Sequence, residues 1–167
     1  MKSVYITTVF GPDSPGIIKS LAAVTRGLGG EWLTSKAMKL DSQFSAMMKV
    51  SIDKDSEAKL NAELEAQFKD LTFVHSEADS IKDKPLETIN LVVDCKDRPG
   101  LTKDINGIIS SQNLQVESME FNRYEIAGLG EAVFSAKLSV SVAEGTNSES
   151  VAEYFEALPD DVRVNIG

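Results

Sequence analysis

The sequence predicts an α+β chain built from two copies of one small unit, and three observations carry that prediction. The stretch Gly11-Pro12-Asp13-Ser14-Pro15-Gly16-Ile17-Ile18 answers to Cys95-Lys96-Asp97-Arg98-Pro99-Gly100-Leu101-Thr102 at an offset of 97 − 13 = 84 residues. Each stretch follows a segment of period-two apolar spacing and precedes one of helical spacing. With 167 residues, 42% of them hydrophobic and 26% charged, the chain has material for two small folded domains and not the composition of a disordered one.

The elements follow in order. Tyr5, Thr7 and Val9 fall on Ile89, Leu91 and Val93, alternating positions that place each set on one face of a first strand. Ile17, Leu21, Val24 and Leu28 fall on Leu101, Ile105, Ile108 and Gln112, an amphipathic helical series in each copy apart from its last member. Pro15 and Pro99 are placed where these helices begin, since a fixed φ suits the first turn and the missing amide is no loss there. Glu31 and Trp32, and in the second copy Gln115 and Val116, enter the second strand.

Met48, Val50 and Ile52 then resemble Leu138, Val140 and Val142 at an offset of 138 − 48 = 90, so the second copy has gained 90 − 84 = 6 residues. Glu125-Ile126-Ala127-Gly128-Leu129-Gly130 is the expected insertion, a longer hairpin loop supplied with two glycines. Leu60, Leu64 and Phe68 match Val151, Phe155 and Leu158 as the second helix, and Thr146-Asn147-Ser148-Glu149 has the form of a capping box. Residues 71–81 and 162–166 supply the last strands.

Strand, helix, strand, strand, helix, strand is the element order of a ferredoxin-like unit, a four-stranded antiparallel sheet with two helices on one face. The expected domains are residues 1–81 and 86–167, joined by the charged linker Lys82-Asp83-Lys84-Pro85.

Composition narrows the function. A formal net charge of −9 disfavours direct nucleic-acid binding, which depends on Lys and Arg displacing counterions from phosphates. Apolar runs such as Leu91-Val92-Val93 fall far short of the ~20 residues that cross a bilayer, and the N-terminus reads as a strand, so no membrane partner is expected. A lone cysteine fits the cytoplasm.

One histidine, His75, and one cysteine, Cys95, leave little material for a nucleophile and its base, and neither a P-loop nor a Cys-x-x-Cys pair is present. No catalytic residue, metal site or cofactor is expected. His75 reads as a satisfied or exposed side chain and Cys95 as a small buried hydrophobe. Met38, Met47 and Met48 fall on strands as core or interface packing, with a partner groove as the alternative; Glu57, Glu63 and Glu65 form a solvated helix face or meet a basic partner.

A unit of this order whose first strand runs into Gly-x-Asp-x-Pro-Gly and an apolar helix resembles the ACT domain, a small regulatory module that commonly binds amino acids. Gly11-Pro12-Asp13-Ser14-Pro15-Gly16 fits the motif, and Cys95-Lys96-Asp97-Arg98-Pro99-Gly100 fits it without the leading glycine. As two such units fill the chain, it most resembles the glycine cleavage system transcriptional repressor family. The resemblance implies a non-enzymatic, glycine-responsive co-regulator that contacts a DNA-binding activator protein, pairs its units in a homo-oligomer and leaves DNA alone. Two alternatives stand beside it: a sensor of another ligand or a plain interaction module, and a regulatory fragment related to an enzyme such as formyltetrahydrofolate deformylase.

Physical chemistry gives the motif a use. Backbone amides at a helix start, with a glycine admitting a ligand to the main chain, suit a carboxylate; a neighbouring Asp suits an ammonium group. The candidate ligand-binding residues are Gly11, Asp13, Ser14, Pro15, Gly16 and Ile17 in the first copy and Asp97, Arg98, Pro99, Gly100 and Leu101 in the second. Helix capping is the competing role for the two aspartates: Ser14 is able to cap the first helix itself, whereas Arg98 is not, which commits Asp97 more to capping. Glu31, Trp32, Gln115 and Val116 are second-rank candidates, because sites in this family usually lie between units.

Overall fold

The alternation of Tyr5, Thr7 and Val9 becomes the buried face of strand β1 (Lys2–Pro12) in the structure, a computed structural model that describes residues 1–79, 86–126, 128 and 130–167. The first unit continues with α1 (Ile17–Gly27), β2 (Glu31–Leu40), β3 (Gln43–Asp53), a short 3-10 turn, α2 (Glu57–Gln67) and β4 (Thr72–Glu77). The second repeats the order with β5 (Leu86–Lys96), α3 (Leu101–Ser111), β6 (Gln115–Ile126), β7 (Glu131–Ala143), α4 (Ser148–Glu156) and β8 (Arg163–Ile166). Each unit holds one antiparallel sheet, in the strand orders β2-β3-β1-β4 and β6-β7-β5-β8. The chain divides into two compact units, Met1–Ile81 and Lys82–Gly167. The linker expected at 82–85 lies outside the described residues.

The core of each unit is the covered face of its sheet. In the first, Phe44, Met48, Val50 and Ile52 of β3 meet Leu21 of α1 and Leu60 and Leu64 of α2. In the second, Phe134, Leu138 and Val140 of β7 meet Leu101 and Ile105 of α3 and Val151 and Phe155 of α4. Full burial of a large apolar side chain is worth about 1.5–3 kcal/mol, so Leu21 and Phe155, which expose nothing, pin their helices to the sheets.

The inner stripe of the first helices departs from the expected series. Thr25, not Val24, is buried in α1, and Ile109 joins Ile105 in α3. Thr25 satisfies its hydroxyl by donating to the Leu21 carbonyl oxygen at 3.0 Å and accepting from Trp32 Nε1 at 3.2 Å, which makes a polar residue tolerable there. Met48 is core, whereas Met38 and Met47 are exposed.

Three local expectations are corrected. Pro15 and Pro99 do not begin the helices: each precedes a left-handed N-cap glycine, Gly16 at φ 75° and Gly100 at φ 82°. Pro15 and Gly16 instead take the two central places of a type II turn, closed where the Ile17 amide donates to the Ser14 carbonyl at 3.2 Å. The capping box is not formed, because the Thr146 hydroxyl donates back to the Ala143 carbonyl, and Asn147 caps α4 by accepting from the Glu149 amide at 2.9 Å. β4 stops at Glu77, and residues 80 and 81 of the longer strand expected there lie outside the described residues.

The repeat reaches into irregularities. β2 shifts register between Trp32 and Thr34, and β6 does so between Val116 and Ser118, 84 residues later. The Leu40↔Gln43 pair that closes the first hairpin answers to Tyr124↔Val133, and all six extra residues fall between those two. They extend β6 and β7 by the pairs Glu125↔Ala132 and Ile126↔Glu131 before the turn. Part of the expected loop is therefore strand; Ala127 and Leu129 lie outside the described residues. Among the described residues no helix is long and apolar enough to cross a membrane.

Candidate functional site

Both motifs occupy the same place in their units, the turn between the first strand and the first helix. Each is tied to the neighbouring strand pair by its aspartate amide, which donates to the Ser42 carbonyl in the first unit and to the Ala132 carbonyl in the second, both at 2.9 Å. Gly11 sits just before the turn, where a Cβ would stand 2.8 Å from the Asp70 carbonyl oxygen and from Leu71 Cδ2. Its side-chain direction is filled by the protein itself, so it serves close packing of the turn. In the second unit Cys95 stands at this point, buried, with burial raising its thiol pKa.

Neither aspartate caps its helix, for α1 and α3 lack any side-chain cap. Asp13 is paired with Lys39 on β2 at 3.1 Å, and Asp97 with Arg123 on β6, whose Nε donates to both carboxylate oxygens at 3.1 and 3.2 Å. These two cations were not among the residues singled out in the sequence. The offset that aligns Asp13 with Asp97 also aligns Lys39 with Arg123, and extending the repeat through the second strand would have found them. Arg123 further lies over the Phe134 ring, 5.2 Å from its centroid, which fixes the guanidinium in place.

Beyond this shared pair the two turns diverge. Around the first, an open depression of about 600 Å³ is lined by the turn residues Asp13, Ser14, Pro15, Gly16 and Ile17 and by Ile18, Lys19, Ala22 and Arg26 along α1. The amides of Ile18 and Lys19 belong to the first turn of the helix and have no acceptor in the protein. Asp13, Lys19, Arg26 and Lys39 thus set one carboxylate among three cations in a chain that is acidic overall. Such a concavity can take a carboxylate at the amides and an ammonium group at Asp13.

The second turn carries its own cation. Arg98, in the place of Ser14, donates from Nη2 to Asp104 Oδ2 at 2.7 Å and from Nη1 to the Pro99 carbonyl at 3.3 Å, and its Nε lies 3.3 Å from Asp160. Asp104 stands in the first turn of α3, where the first unit has Ser20. Leu101 is in the core and turned away from any ligand, whereas Ile17 is half-buried. Glu31, Trp32, Gln115 and Val116 begin the second strands, whereas Lys39 and Arg123 near the motifs end them; within each unit these candidates are not brought to the turn.

His75 sits apart from the motif on β4. Its Nδ1 lies 2.9 Å from the Thr7 hydroxyl and its Nε2 4.0 Å from Glu65 Oε1. Among the described residues no group of three or more His, Cys, Asp or Glu side chains is arranged to hold a metal ion.

Comparison with known proteins agrees with this geometry. Residues 3–75 match the ACT domain family model. None of the curated proteins matches the sequence. Among solved structures, an unknown protein from Galdieria sulphuraria superposes with a TM-score of 0.83 at 15% identity, over 99% of this chain and 98% of that one. A candidate glycine cleavage system transcriptional repressor superposes with a TM-score of 0.75 at 19% identity, over 100% of this chain and 97% of that one. The first unit is thus an ACT domain, the second repeats its fold, and the chain is a tandem ACT protein similar in architecture to that repressor.

Proposed function

We propose that the chain is a non-enzymatic, amino-acid-responsive regulator, that glycine is its ligand, and that it controls transcription through contact with a DNA-binding activator protein. In this reading residues 1–81 and 86–167 are its two domains, joined by 82–85, and it works in the cytoplasm as a homo-oligomer without touching DNA. The observation that carries the reading is the first-motif depression, where Asp13 is free of capping and stands beside helix amides that have no acceptor. A zwitterion as small as glycine matches that pair of groups end for end. The regulatory character of ACT domains and the name of the similar repressor structure support the rest.

For the ligand to regulate, it must bind two states of the protein unequally, since equal binding shifts no population. A thermal-shift panel of the common amino acids on the purified chain tests the ligand. At ~100 times its dissociation constant a ligand stabilises the fold by about 2.7 kcal/mol, so glycine is expected to raise the midpoint and the others to leave it unchanged. A shift with a different amino acid replaces the ligand, and a flat panel rejects the sensor.

A further inference from the structure

The uncovered face of the first sheet differs from that of the second at one position after another. Ile6, Phe10, Met38, Met47 and Val74 all point to the side of their sheet away from α1 and α2. Phe10 is 45% exposed, Met38 70%, Met47 52% and Val74 48%. The strand registers pair these five positions with Asn90, Asp94, Asn122, Lys137 and Asn165 in the second unit. One fold and one chain thus carry the same face in two versions, and the polar version shows that the fold does not require the apolar one. A contiguous apolar patch on a sheet face is the mark of an interaction surface.

Charge says what it fits. Lys36 pairs across from Met47, and Lys49 follows two residues after it, so lysines stand beside the apolar centre. The strands bring no carboxylate to this face until Asp53, at the end of β3, which is paired with Lys2 at 3.3 Å. The second unit's face mixes both signs, with Asp94, Glu120, Lys137 and Arg163. A second copy of the chain would bring the same two lysines and no carboxylate, a like-charge match that disfavours face-to-face self-pairing. An apolar stripe flanked by carboxylates complements it.

We propose that this face docks an acidic amphipathic helix of another protein. Such a helix adds the layer that the sheet lacks, its apolar side on Phe10, Met47 and Val74 and its flanking carboxylates towards Lys36 and Lys49. The proposal rests on the reading that the chain acts through protein contact, and it names the surface used. Its test needs no amino acid, so failure of the docking face and failure of the ligand reading show separately.

The experiment is a titration of the isotope-labelled chain, followed by amide NMR, with two synthetic helical peptides. Both carry leucine at i, i+3, i+4 and i+7, one with glutamates on the remaining positions and one with lysines. Saturable shifts on β1, β3 and β4 are expected with the acidic peptide and not with the basic one. Phe10→Asp with Met47→Lys, the residues that the second unit carries at those places, is expected to weaken binding at least tenfold. Lys49→Glu, a charge change at the surface, is expected to weaken the acidic peptide and admit the basic one whether or not the double variant folds. No saturable shift on this face, equal response to both peptides, or a dimer of the chain that the double substitution dissolves overturns the proposal.

Discussion

Asp97 accepts from Arg123 Nε at 3.1 and 3.2 Å, and 84 residues earlier Asp13 meets Lys39 at 3.1 Å in the same place. Two copies that have diverged around this pair have both kept it, yet only the first faces an open depression. Lys39 is 62% exposed, so the ion pair itself contributes no more than about 1 kcal/mol to the fold. Asp13→Ala is therefore expected to leave the thermal midpoint nearly unchanged and to weaken amino-acid binding by about tenfold or more, the loss of one charge-assisted hydrogen bond. Calorimetric titration of the folded variant checks this. Unchanged affinity removes Asp13 from the site.

Arg98 closes the second turn from within, through Asp104, Asp160 and the Pro99 carbonyl. The wild-type chain is expected to bind one equivalent of amino acid, in the first unit. Arg98→Ser with Asp104→Ser restores the residues that the first unit carries as Ser14 and Ser20 and is expected to open a second, weaker site. The measurement is the stoichiometry of titration, read with Asp13→Ala as the variant that silences the first unit. Two equivalents on the wild-type chain contradict closure by Arg98.

Three glycines of the first unit separate packing from backbone strain. Gly11→Ala drives a Cβ into backbone and side chain 2.8 Å away and is expected to destabilise by about 1–3 kcal/mol, the usual cost of overpacking. Gly16→Ala meets no atom within 4 Å, but at φ 75° it carries the left-handed penalty of about 1–2 kcal/mol. Gly27→Ala, at the end of α1 with open space around it and no left-handed φ, is expected to be neutral or stabilising by up to about 1 kcal/mol. Urea unfolding of the three variants gives the order Gly11 and Gly16 below wild type and Gly27 at or above it.

The repeat made the architecture readable, because period-two and helical spacing survive wherever a face is buried: Tyr5, Thr7 and Val9, or Leu60 and Leu64, show themselves. Features set by a few atoms did not show. The choice of Asn147 over Thr146 as cap depends on where one hydroxyl turns, and the placing of Pro15 in a type II turn depends on the φ of Gly16. Lys39 and Arg123 lie on edge strands that bury little, so no periodic signal marks them; their sign, repeated at the offset of the motif, was the available clue. The closure of the second turn needed the separation of Arg98 from Asp104 and Asp160, which the sequence does not contain.

His75 joins β4 to the core through Thr7, with Nε2 held 4.0 Å from Glu65 on α2 and the ring edge-on to Tyr5 at 6.0 Å. Tyr5 donates to Asn61 at 3.0 Å, and its own pKa is pushed up to about 12, by burial first and then by Glu57. Burial lowers the His75 pKa below its ordinary 6.5, and the opposing pull of Glu65 and Glu57 does not reverse it. The folded protein therefore prefers the neutral ring more than the unfolded chain does. Its stabilising contribution is present above pH 6.5 and is lost as pH falls from there through the lowered folded value. Thermal midpoints measured from about pH 7.5 to about pH 5.5, above the range where ordinary carboxylates titrate, are expected to fall in the wild type and to stay flatter in His75→Gln. A midpoint that rises on acidification would show the ring charged in the fold and paired with Glu65, with the ion pair outweighing burial.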